Sequence, residues 1–222
     1  MPLLAKAAGT LLVTTATPTL GWLYYSRGST FVPFTTTSSS FPSAAFSKLN
    51  PDQNKPAVID HCVRKVPLSQ LQTTDQEALT RRFCQGVWSG PGFEIQRRYL
   101  ERKYRALDGR ESHLWDKKDL ATSDYAVGTR IADHFEVVER SPEKVTVRCG
   151  DSPTIQDKRP SDGIFSIEVS KDEKDATFHL KSVFFNSTPS GKDGAQLPWW
   201  FDSAHKEYTK LWMETSVRKL LK

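Results

Sequence analysis

Near Tyr125 the spacing of apolar side chains changes from one in 3.6 residues to one in two, and near Leu197 it changes back. The first spacing marks one face of a helix and the second one face of a strand, so a block of strands must lie between helical segments. Upstream, Thr74-Asp75-Gln76-Glu77 has the form of a capping box with Thr74 as the cap. Leu79, Phe83 and Val87 follow at steps of four until Ser89-Gly90-Pro91 ends that helix. A second helix is expected from Gly92 to Leu107, with Phe93, Ile95, Tyr99, Leu100, Tyr104 and Leu107 inward. Its other face carries Arg97, Arg98, Arg102, Lys103 and Arg105 and reads as a solvated surface, or as a contact with an anionic membrane.

Between the two changes of period, HFEVVERS (134–141) and VTVRCG (145–150) alternate on either side of a turn at Ser141-Pro142. GIFSIEVS (163–170) and ATFHLKSVFF (176–185) alternate around a charged turn. This predicts an antiparallel meander with one face covered and one wet. An earlier run, HCVRKVPL (61–68), reads as a strand with Cys62 and Val66 inward. The last segment, 197–222, has Pro198 in its first turn and a stripe of Phe201, Ala204, Tyr208, Leu211 or Trp212, and Thr215. The resulting order is a strand, two helices, antiparallel strands and a long terminal helix. It defines an α+β domain in which a curved antiparallel sheet grips the carboxy-terminal helix.

From Ala7 to Ser26 the chain has no charged residue, and the run ends in Trp22, Tyr24 and Tyr25. Twenty helical residues rise about 30 Å, the thickness of a hydrocarbon core, and Trp and Tyr favour its interface. Residues 1–27 therefore read as a hydrophobic anchor or targeting segment. A cleaved secretory signal and a mitochondrial presequence are the other readings, and a mitochondrial membrane is one destination. Residues 28–57, rich in Ser, Thr and Pro, read as a linker, and 58–222 as the folded domain.

The net charge of +5 comes from 31 Lys and Arg against 26 Asp and Glu. Three of those bases (Lys6, Arg27, Lys48) and none of the acids precede Asp52, which leaves 28 against 26 in the body, a weak footprint for nucleic acid. Cys62, Cys84 and Cys149 are widely separated and no histidine stands at zinc-ligand spacing, so neither a metal nor a disulfide framework is expected. No nucleophile elbow, Walker loop, dinucleotide fingerprint or zinc-protease motif is present, and no cofactor is implied.

Several short motifs recur in a fixed order: Val127-Gly128-Thr129-Arg130, the run Phe135 to Arg140, Gly150-Asp151-Ser152, Ser161-Asp162-Gly163, Phe184-Phe185-Asn186 and Ala204-His205-x-x-Tyr208. With them the chain resembles the uncharacterised START-like (helix-grip, SRPBCC-type) domain family shared by bacterial and fungal proteins. It is most similar to fungal members with an anchor-like amino terminus and a segment like Asp60-His61-Cys62-Val63-Arg64-Lys65-Val66-Pro67-Leu68. The resemblance covers roughly 60 to 222. It implies a cavity between sheet and helix that takes lipids, polyketides or other apolar molecules, which some relatives cyclise or hydrolyse. It supplies no catalytic residues. The bacterial pattern has an aspartate followed closely by a histidine after the hairpin, whereas here Asp151 is followed by Ser152-Pro153.

The expected function is a membrane-tethered domain binding a hydrophobic small molecule or lipid. The alternative is a cyclase- or hydrolase-type enzyme acting on an apolar substrate in the same cavity. Trp200, Phe201, His205, Tyr208 and Trp212 along the last helix are the candidate ligand contacts, with Phe165 and Phe178 on the sheet side. For proton transfer the candidates are His205 and Asp151. His179 is expected on the outward face of its strand, in solvent.

Overall fold

The computed structural model describes residues 19–192, 194 and 197–222. In it the alternating runs are strands of one sheet: β1 (Thr30–Phe31), β2 (Val58–Pro67), β3 (Arg130–Ile131), β4 (Phe135–Arg140), β5 (Lys144–Gly150), β6 (Asp162–Lys171) and β7 (Asp175–Phe185). All pairings are antiparallel, in the order β1-β2-β7-β6-β5-β4-β3. β4 to β7 are the expected meander, and the two-residue β3 adds an edge that the alternation did not predict. β2 returns to pair with β7 from Val58↔Phe184 to Pro67↔Asp175, so the first long strand lies beside the last. The helices are α1 (Ser43–Leu49), α2 (Gln76–Ser89), α3 (Pro91–Tyr104), α4 (Lys117–Thr122) and α5 (Phe201–Arg218). The domain is α+β, with a seven-stranded antiparallel sheet and a carboxy-terminal helix.

Register decides what each face of the sheet presents. Cys62, Val66, Phe165, Ile167, Phe178 and Leu180 share the face under α2 and α5. There Phe83 of α2 meets Phe178 edge to face, with ring centroids 5.0 Å apart. Trp212 of α5 meets Trp88, Phe93 and Phe165 at 5.4, 5.5 and 5.4 Å. Gly92 makes this close packing possible, because a Cβ there would lie 2.8 Å from the Trp212 ring.

Helix details depart from the sequence reading. Asp75, not Thr74, caps α2, its carboxylate accepting from Ala78 N at 2.8 Å; the acid satisfies an orphan amide and complements the helix dipole. On α3, Phe93 and Leu100 are buried, but Ile95, Tyr99 and the downstream Leu107 are exposed. Arg97 turns inward instead, pairing with Glu94 and Glu101 and donating to Trp115 O at 2.9 Å. α5 begins at Phe201, and Pro198 precedes it.

The opposite face of the sheet is covered as well, and residues 28–57 are not a free linker. Phe34 and Phe41 are buried against Ile164, Val183 and Phe185, with Ala45, Phe46 and Leu49 of α1 packed alongside. Burial of each such ring is worth about 2–3 kcal/mol, which a run of Ser and Thr between the rings does not cancel. Hence the folded unit begins before position 58. At its start Ser29 donates to Glu214 at 2.7 Å, and this fully buried carboxylate of α5 also pairs with Arg64.

Residues 19–26 are helical and lie against α5. Trp22 Nε1 donates to Glu207 at 2.6 Å, and Arg218 donates to Tyr25 O at 3.0 Å while its guanidinium sits over the Tyr25 ring. Residues 1–18, most of the expected anchor, lie outside the described residues. No helix among the described residues is long and apolar enough to cross a membrane.

On the covered outer face His179 is not solvated. Its Nδ1 lies 2.9 Å from His61 Nε2, and its Nε2 lies 2.8 Å from Ser170 Oγ. Burial, joined by the neighbouring imidazole and the Lys181 ammonium, pushes His61 down to about 3. Burial and Lys181 likewise push His179 down to about 4. Both rings are therefore neutral when folded and take up protons on unfolding once pH falls below their ordinary 6.5. The fold should keep nearly full stability above about pH 7 and lose on the order of 5 kcal/mol by about pH 4.5, roughly half from each ring. Urea unfolding at the two pH values checks this. In His61→Gln, which leaves a single imidazole, the loss should be roughly halved.

Candidate ligand cavity

The side chains of α5 fall into two zones. From Thr209 to Val217 most are buried, whereas none from Phe201 to Tyr208 is. Steps of three and four residues place Phe201, His205, Tyr208 and Trp212 on one face, and this face, with part of the sheet and α3, bounds a cavity of about 900 Å³. Phe135, Cys149, Phe165 and Phe184 form the sheet side, Ile95, Gln96 and Tyr99 of α3 one flank, and Leu197 and Trp200 part of the rim.

Of the residues expected from sequence, Trp200, Phe201, His205, Tyr208, Trp212 and Phe165 all line this space. Phe178 does not. It is fully buried beneath α2 against Phe83, and Phe184, further along the same strand face, takes the place at the cavity wall. Asp151 lies off the wall, its Oδ2 accepting from Ser161 N at 3.0 Å within the loop.

Most polar groups at the wall are already engaged. Tyr208 donates to Gln96 Oε1 at 2.9 Å, and burial pushes its phenol up to about 12, so it stays neutral. Asp162 receives Arg148 through two nitrogens at 2.9 and 2.7 Å and Ser187 Oγ at 2.7 Å. Burial raises the Cys149 thiol, which keeps it protonated and a poor nucleophile. His134 reaches the wall from a tight turn in which Ala132 and Asp133 have φ of 46° and 62°, a strained pair for residues with a Cβ. Arg110 Nε at 2.7 Å and Ser152 Oγ at 2.8 Å hold the Asp133 carboxylate in that turn.

His205 is the exception. Its ring stacks on Phe201 and meets Phe184 edge on. Its Nε2 lies 2.9 Å from Asp60 Oδ2, 3.3 Å from Ser182 Oγ and 3.4 Å from Thr209 Oγ1. All three converge on one nitrogen. A serine–histidine–aspartate relay needs the acid and the hydroxyl on opposite nitrogens, so this cluster is not a nucleophile triad. Asp60 is 4% exposed, and among the described residues its nearest polar neighbour is this imidazole, with no hydrogen bond of regular geometry to either carboxylate oxygen. Sequence reasoning passed over Asp60, although the two-residue period that turns Cys62 and Val66 inward turns it inward too.

No protein-family model, curated protein or solved structure matches this chain.

The two phenylalanines separate wall from core. Phe178→Ala should cost about 3–5 kcal/mol in urea unfolding and leave cavity occupancy unchanged. Phe201→Ala, at a half-buried position, should cost less than about 1.5 kcal/mol and lower the affinity for any apolar occupant.

Proposed function

We propose that this protein is a START-like helix-grip domain that binds a hydrophobic small molecule or lipid between its sheet and carboxy-terminal helix, and that its amino-terminal stretch tethers it to a membrane. The observation carrying this reading is the cavity. Its volume of about 900 Å³ falls within the range of small-molecule sites, roughly 300–1,000 Å³, and its walls are dominated by aromatic rings. Its lining includes exposed apolar side chains: Ile95 is 82% and Trp200 52% exposed.

Tethering draws support from the uncharged run Ala7 to Ser26 and from Leu20, Leu23 and Tyr24, which stay exposed on the helix that packs along α5. The basic face of α3 adds little. Arg97, Arg98 and Arg105 are paired with Glu94, Glu101 and Asp116, which leaves only Arg102 and Lys103 of that face to meet an anionic surface, so the apolar stretch supplies most of the attachment, at a mitochondrial membrane or another. The second reading, a cyclase- or hydrolase-type enzyme on an apolar substrate, is favoured by one observation, the buried Asp60 carboxylate beside His205 at the wall.

Native mass spectrometry of the purified full chain should show a bound apolar species, which Ala204→Trp displaces by filling the cavity while leaving the fold intact. Absence of added mass from several expression hosts overturns the binding reading. In membrane fractions the full chain should resist alkaline carbonate extraction, and Leu12→Asp with Val13→Lys should release it to the supernatant. Release of the unaltered chain overturns the tether.

A further inference from the structure

Ligands that fill an apolar cavity differ most in their polar end, and the polar groups on this wall discriminate among such ends. Among the described lining residues there is no Lys or Arg. Asp162 is neutralised by Arg148, and Tyr208 is tied to Gln96. Two histidines remain: His134, at the turn beside Asp133, and His205, which stands on α5 between the Phe201 and Phe184 rings with its Nε2 2.9 Å from Asp60 Oδ2 and 3.3 and 3.4 Å from the Ser182 and Thr209 hydroxyls. The proton belongs on that nitrogen, because a carboxylate facing an imidazole lone pair would be repelled. Nδ1 is then the ring nitrogen left without a partner among the described residues.

We infer that His205, positioned by the buried Asp60 carboxylate, is the recognition point for a hydroxyl on an otherwise apolar, uncharged ligand, and that the same pair excludes anionic heads. This rests on the cavity-binding reading above and narrows it. With the imidazole neutral the pair carries one negative charge, and with it protonated the charges cancel; in neither state does an anion meet net positive charge. Nδ1 accepts a hydrogen bond in the first state and donates in the second. A hydroxyl, being both donor and acceptor, matches it in either. A carboxylate or phosphate head would instead be desolvated beside Asp60 with no cation to receive it.

The test uses four probes with one twelve-carbon chain: 1-dodecanol, its methyl ether, dodecanoate and dodecylamine. Each is titrated calorimetrically into full-length protein stripped of bound apolar material. The alcohol should bind about five- to ten-fold tighter than the ether, the worth of one net hydrogen bond. It should bind at least ~10-fold tighter than dodecanoate. His205→Phe should bring the alcohol and ether to within about two-fold of each other while the ether keeps its affinity. Asp60→Asn, nearly isosteric, should raise dodecanoate affinity about ten-fold.

Tightest binding by dodecanoate or dodecylamine overturns the inference, as does an alcohol preference that survives His205→Phe. Equal binding of all four probes overturns the inference and leaves the cavity reading standing; no binding by any removes both. If Asp60→Asn does not fold, the ranking on the unaltered chain and the His205→Phe variant still decide.

Discussion

The packing of Trp212 against Trp88, Phe93 and Phe165 is the interaction on which the rest of the molecule depends. This aromatic cluster seats the second half of α5 on α2, α3 and the sheet, and the glycine at 92 brings backbone close enough for the indole to fit. Downstream the helix is also fixed by Glu214, a carboxylate without exposure that Arg64 and Ser29 satisfy from two other segments. Upstream, Phe201 to Tyr208 meet the sheet mainly through His205, beside Asp60, Ser182 and Phe184, and none of them is buried. The same helix is therefore core at one end and cavity wall at the other, and Trp212 belongs to both.

Covering the outer face has a consequence for the inner one. Were the segment carrying Phe34, Phe41 and Phe46 absent, Ile164, Val183 and Phe185 would be exposed. With that face sealed, β6 and β7 are clamped between two apolar layers, and the strands that carry Phe165 and Phe184 to the cavity are held in register. The wall they form is rigid, aromatic and nearly without charge. Against such a background a single carboxylate–imidazole contact dominates the local field, since burial weakens the solvent screening that an exposed pair would have.

Much of the architecture was legible because it depends on local periodicity. The four strands after Phe135 fall where alternation puts them, and the terminal helix presents the side chains expected of its stripe. The cavity residues Trp200, Phe201, His205, Tyr208 and Trp212 were readable for the same reason, as all sit on or beside one helix. The misses share a different cause. On α3, periodicity alone did not reveal that Arg97 would find Glu94, Glu101 and a backbone carbonyl, and so be buried in place of Ile95 and Tyr99. In residues 28–57, isolated phenylalanines among Ser and Thr have no repeat to detect, yet they cover a sheet face. Phe178 and Phe184 lie on the same face of one strand, and only the position of α2 separates core from wall.

Local sequence thus determined which segments are helix or strand and which side chains share a face, because those properties come from backbone geometry within a few residues. Tertiary structure alone decided that β2 lies beside β7, that Asp60 and Ser182 meet His205 across elements far apart in the chain, and that α5 is buried only from Thr209 onward. Those outcomes depend on long-range packing, where the fit of one surface to another, rather than the period of either, sets which neighbours meet.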